Sequence, residues 1–240
     1  MEFTLEPLAV PSLKEACIRS LEGLILSGAL QIGARRPSER TLAAQLGVSR
    51  PVLHQAIVDL AVKGLVEIAP RRGVFVNDFR TQGSCALLSS LLTYREGELA
   101  PDLRDSLIAM RLLVETETAR LAAHHATPEQ LAELRRLLHA ESTCDTTDSE
   151  ALVALDFAFH HQVALASGNL MYPLMLNSIR GVYTNLTSKF FAHHRGSSVI
   201  ENVFAFHRRL VAAIEARESE TARAVMGEML EHGSAHLPGN

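Results

Sequence analysis

Two sets of side chains in this 240-residue sequence stand at spacings that could do chemistry. Between positions 40 and 72, Arg40, Arg50, His54, Arg71 and Arg72 gather donors that could meet phosphate, and an Arg on a helix can donate two hydrogen bonds to guanine O6 and N7. Further along, Asp156 and His160 are four apart, so on a helix both side chains share a face and could reach one divalent cation. They could equally form a hydrogen-bonded polar cluster, and the spacing alone does not separate the two. Arg111 and Glu115 carry the same ambiguity. Arg111 could clamp a carboxylate or phosphate in bidentate fashion, or pair with Glu115 one turn later.

Charge places the first set in context. The net charge is −4, yet residues 1–80 hold ten basic and eight acidic residues (+2), and residues 81–240 hold thirteen and nineteen (−6). Within 35–72 there are seven basic and three acidic residues. A locally basic face on an acidic body can still attract a polyanion, because the contacting surface decides.

The elements that must position these residues are legible. Pro11-Ser12 opens a helix whose stripe is Leu13, Cys17, Leu21, Leu24 and Ile25, and Gly28 stops it. Ser38 caps a second helix, residues 39–46, that Gly47 ends. Ser49 caps a third, from Arg50 to about Lys63, with Pro51 in its first turn. Two helices joined by a short turn containing Gly form a helix-turn-helix. Residues 65–68 and 73–76 then read as strands around Pro70-Arg71-Arg72, a hairpin wing. In such a winged helix, Arg50 and His54 face the groove of double-stranded DNA, Arg40 grips phosphate, and Arg71 and Arg72 approach the backbone or minor groove.

These residues resemble the GntR family of transcriptional regulators. The run Pro37-Ser38-Glu39-Arg40, Leu42-Ala43, Gly47-Val48-Ser49-Arg50, Gly64-Leu65 and Arg72-Gly73-Val74-Phe75-Val76 carries the likeness. The resemblance implies DNA contacts from Arg40, Ser49, Arg50 and Gly73. Two departures stand out: Arg36 where a Leu is usual, and His54 where an Arg contacts DNA.

Residues 79–100 read as a connector with one short helix near 86–92. From 101 to 240 the chain reads as an antiparallel helical bundle, with helices at 102–125, 128–143, 149–167, 170–192, 198–216 and 218–235. The expected fold is therefore mostly α: a winged helix-turn-helix over 1–78, then an all-α effector and dimerisation domain.

The second half is similar to the effector domain of the FadR branch, through Arg111 with Glu115, Leu121-Ala122-Ala123, Asp156-x-x-x-His160, Ala166 to Asn169, Leu176-Asn177 and Gly181 to Thr184. That resemblance implies an effector, either a small organic acid or a fatty acyl-coenzyme A, in contact with Arg111, Asn169 and Tyr183. It also implies a divalent metal, Zn, Ni or Mn, on Asp156, His160 and His207. The fourth ligand of such sets falls at Met229, a soft thioether ill suited to those ions, and His232 one turn later is a candidate substitute.

The reading is a ligand-responsive, homodimeric DNA-binding regulator, expected to act as a repressor on a palindromic operator, because one winged helix reads only a half-site. An enzyme built on Asp156, His160 and His207 is the rival. No catalytic Ser-His-Asp set, phosphate-binding Gly loop or His-Glu-x-x-His accompanies them, so no enzyme is expected. The other rival is an interaction module that has lost DNA binding. Three scattered cysteines, no apolar run near the roughly 18 residues of a membrane span, and an acidic N-terminus make a cytoplasmic location the expectation, with no membrane partner.

Overall fold

The computed structural model describes residues 12–34, 38–94 and 97–238. Pro11, Arg36 and Pro37, cited above, lie outside them. The chain divides into two compact units, 1–98 and 99–240.

In the first unit, Ser12 begins α1 (Leu13–Leu26) with a capping box: its Oγ accepts from Glu15 N, and Glu15 Oε2 accepts from Ser12 N. Ser38 caps α2 (Glu39–Leu46) and Ser49 caps α3 (Arg50–Val62), each accepting from the amide three residues on. Gly47 ends α2 in the left-handed region, φ 66°. An eight-residue helix such as α2 would not persist alone. It is held because Leu42 and Ala43 pack into a core with Leu21, Leu53, Ala56 and Leu60, the last four almost wholly buried. Each buried Leu contributes about 1.5–3 kcal/mol. Strands β1 (Val66–Ala69) and β2 (Gly73–Val76) pair antiparallel, Val66 opposite Val76 and Ala69 opposite Gly73. The first strand is displaced by one residue from the expected 65–68.

The segment expected to be a connector is fastened to this unit. It carries α4 (Phe79–Gln82), which the sequence did not announce, and α5 (Leu87–Tyr94), which packs on α1 with Leu87 in the core. A helix end leaves carbonyls without intrahelical partners. Around the end of α3, Val62 O accepts from Ser84 Oγ, Lys63 O from Ser84 N, Gly64 O from Asn77 Nδ2 and Leu65 O from Asn77 N. Gly64 has φ +77°, and a Cβ there would lie 2.0 Å from Gln82 O.

The second unit holds six helices among the described residues: α6 (Pro101–His125), α7 (Pro128–Thr143), α8 (Ser149–Ala166), α9 (Met171–His193), α10 (Ser198–Glu215) and α11 (Ser219–Ala235). Their bounds fall within about two residues of those read from the sequence. Small residues Ala119, Ala122 and Ala123 let α6 approach its neighbours closely, and α6 packs on α11 and α8. Helix α8 packs on α6, α7 and α9, which explains its apolar residues on most faces. That central position makes its few polar side chains informative.

Candidate functional site

Asp156 and His160 project from α8 toward His207 on α10, and all three are buried. His160 Nε2 stands 3.9 Å and His207 Nε2 4.0 Å from the same atom, Asp156 Oδ1. The donor atoms of the three lie within 4.8 Å of one another. Tetrahedral ligands at about 2.0–2.1 Å from a metal stand roughly 3.4 Å apart, so a small contraction would suffice. The buried Nε2 of His207 has no hydrogen-bond partner among the described residues, an orphan of the kind a cation satisfies. Phe159 stacks on the His207 ring, centroids 3.9 Å apart, and fixes its plane.

Each imidazole is held from behind by a carboxylate. His207 Nδ1 donates to Glu141 Oε1 on α7 at 2.7 Å, and His160 Nδ1 sits against Glu115 Oε2 on α6. Glu141 was not singled out from the sequence, although a signal existed. It continues the buried stripe Leu134, Leu137, Glu141 of α7, where a lone acid needs a partner.

Arg111 resolves the ambiguity of its spacing by doing several things at once. Its Nε donates to Glu115 Oε1 at 2.6 Å, its Nη2 donates to Tyr183 Oη at 2.9 Å, and the guanidinium lies over the Tyr183 ring. Tyr183 Oη in turn donates to Asp156 Oδ2 at 3.0 Å. Burial opposes the Arg111 charge, but Glu115, Tyr183 and Asp156 outweigh it and hold its pKa above the usual value. Burial would likewise raise Glu115, yet Arg111 and His160 hold its carboxyl at about 2. Burial above all, with help from Asp156 and Glu115, pushes the Tyr183 phenol well up, so it keeps its proton.

The charge count bears on what the cluster can hold. Three buried carboxyl groups, Glu115, Asp156 and Glu141, face one guanidinium, that of the half-buried Arg111. With all three ionised, two negative charges would remain, and uncompensated buried charge is costly. A divalent cation balances them, and so would two imidazolium protons. Asp and two His are suitable donors for Zn, Ni or Mn, so the residues fit the group.

Arg111, Asp156 and His160 form the polar end of a cavity of about 60 Å³, walled by apolar side chains including Leu186, Phe190, Phe191, Val203 and Met229. Met229 thus stands in this wall, while His232 turns its ring to Phe206 and His236 and does not join the convergent donors. Tyr183 is fully buried behind the site. Asn169, expected to touch an effector, lies elsewhere. It is at the α8–α9 turn, where its Oδ1 accepts from Met171 N. Local turn chemistry explains that residue, and Asn177 is exposed on α9.

On the first unit, Arg40, Arg50, Arg71 and Arg72 are all exposed. Ser49 Oγ is engaged in capping α3. His54 is tied back across the turn, its Nδ1 3.1 Å from Glu39 Oε1. Arg71 (φ +62°) and Gly73 (φ +113°) turn the wing tip, and Arg72 lies over the Phe75 ring.

The gntR family of bacterial regulatory proteins matches residues 13–76, and the FCD domain matches residues 106–232, more than half the chain. The chain belongs to the GntR family. Among relatives, the HTH-type transcriptional regulator Mce2R of Mycobacterium tuberculosis is 34% identical over 75% of this chain and 74% of its own. The fatty acid metabolism regulator protein of Yersinia pestis is 32% identical over 67% of this chain and 65% of its own. Among solved structures, Lar of Listeria monocytogenes superposes with TM-score 0.62 at 17% identity, covering 95% of this chain and 98% of that one. E. coli McbR/YncC gives 0.51 at 21%, covering 94% and 97%. These likenesses bear on the fold. This GntR protein is a DNA-binding transcriptional regulator with a winged helix-turn-helix and a helical FCD region, and not an enzyme. No helix among the described residues is long and apolar enough to cross a membrane.

Proposed function

We propose that this GntR regulator is a repressor whose operator affinity is set by a small carboxylate bound beside a divalent metal in the FCD bundle. The observation that carries the reading is the convergence of the donor atoms of Asp156, His160 and His207, with Asp156, His160 and Arg111 also lining a half-open cavity. Bound there, the metal would supply a Lewis-acidic anchor for the effector carboxylate. Arg111 would meet the same group as a second cation, released in part from Glu115. Size favours a small acid over acyl-coenzyme A. The cavity, about 60 Å³, is of the scale of a small acid. An acyl-coenzyme A would require the cavity to expand many-fold.

On the DNA side, the reading gives base contact to Arg50, phosphate or wing contacts to Arg40, Ser49, Arg71, Arg72 and Gly73, and a position in the groove to His54. A homodimer would read a palindrome, two half-sites about one helical turn apart or a multiple of it. The domain reading keeps 1–78 as the DNA-binding part and 101–240 as the effector part, with most of 79–100, expected as a connector, packed into the first unit through α4 and α5. Effector and DNA then share one linkage: whatever factor the effector imposes on DNA affinity, DNA imposes on effector affinity.

The test is a duplex mobility shift with a panel of two- to six-carbon carboxylates and acyl-coenzyme A species, each with added Zn and with chelator. The reading expects a small carboxylate to weaken binding only when metal is present. Release by acyl-coenzyme A in chelator would replace it with a metal-free lipid sensor.

A further inference from the structure

We infer that Glu141 is the positioning residue of the metal site: it fixes His207 in the tautomer and orientation that present Nε2 to the ion. This rests on the metal-dependent reading above and adds a residue to it. A carboxylate can only accept, so the hydrogen bond at 2.7 Å keeps the proton on His207 Nδ1. The one lone pair of the neutral ring is then on Nε2, the atom aimed at Asp156 Oδ1. Partnering a ligand imidazole with a carboxylate also raises its basicity toward the metal.

A purely structural role accounts poorly for Glu141. It occupies a buried stripe position where Leu would pack at no electrostatic cost, and its Oε2 has no partner among the described residues. The corresponding acid behind His160, Glu115, is different in kind. It shares its other oxygen with Arg111, which draws its charge away. Glu141 Oε1 accepts from His207 Nδ1, so its charge is directed at that ligand. The two histidines therefore enter the site unequally, with His207 the more strongly held. Where the fourth protein ligand would fall this chain has Met229, and a firmly oriented His207 offsets that loss.

The full-length protein is titrated with Zn against a chromophoric chelator, with Glu141→Gln and Glu141→Asp beside wild type. Glu141→Gln should bind Zn about 10- to 100-fold more weakly and change the visible spectrum of the Co-substituted site. Glu141→Asp keeps the charge but is one methylene short, so it should fall between. A cooperatively melting Glu141→Gln with wild-type Zn affinity and Co spectrum overturns the inference. If wild type takes up no Zn, the metal reading fails and this inference with it; normal wild-type uptake with an unaffected variant sinks the inference alone. Should neither variant fold, imidazole 15N spectra of Zn-loaded wild type decide. Metal on Nε2 with Nδ1–H retained on His207 is the expected result, and metal on Nδ1 is the contrary one.

Discussion

Lys63, the residue that ends α3, donates from Nζ to Glu22 Oε1 on α1 at 2.6 Å and to Ser90 Oγ on α5, and Ser90 Oγ in turn donates to the same Glu22 oxygen. Glu22 is 4% exposed. Breaking a buried pair by removing one partner costs about 3–5 kcal/mol, and Lys63 keeps part of its hydration, so about 2–3 kcal/mol is expected for Lys63→Met. The double variant with Glu22→Gln should recover part of that loss. Urea titration followed by a probe in the first unit checks both values.

The same junction makes Gly64 irreplaceable. Alanine there would meet Gln82 O at 2.0 Å and must also adopt φ +77°. Positive φ alone costs about 1 kcal/mol, and the clash forces α4 away from the end of α3. Gly64→Ala should lower the melting temperature of the first unit by several degrees and weaken duplex binding. A wild-type thermogram would mean that α4 does not pack as described.

On the proposed reading, DNA contacts divide by type. Arg50→Ala should cost roughly 1–3 kcal/mol on a selected site and relax preference at one base position. Replacing Arg71 and Arg72 together should weaken binding uniformly across sequences and reduce the salt slope by about two. Binding-site selection followed by salt titration of each variant separates the two patterns.

Acid stability should report Glu115. Its folded pKa, about 2, lies below the ordinary 4.5, so the unfolded chain takes up the proton first. The stabilisation is complete above about pH 4.5 and is lost as pH falls toward 2, a change of roughly 2–4 kcal/mol. Glu115→Gln should be less stable than wild type at neutral pH, where Arg111 loses its carboxylate partner, and should converge with it near pH 2. Chemical denaturation across that window measures the difference.

The fold was legible because its punctuation is local. Ser12, Ser38, Ser49 and Thr127 each cap a helix from within three residues, and Gly47 and Gly168 end theirs with positive φ. Helix α4 escaped because four residues carry no periodicity. Of the site, Asp156 and His160 were readable from i,i+4 spacing. Glu141 was legible only as an acid on a buried stripe, because its partner His207 is 66 residues away and only the packing of α7 on α10 joins them. Arg111 showed the limit of spacing in another way: its i+4 pair with Glu115 is real, and so is its reach across 72 residues to Tyr183.

The central claim is a metal held by Asp156, His160 and His207, and elemental analysis of chelator-free protein tests it most directly. The account predicts about one divalent ion per chain in wild type and little or none in Asp156→Asn or His207→Gln, with both variants still folded. A metal-free wild type that takes up no Zn, Ni or Mn on addition would contradict it, leaving a protonated polar cluster in its place.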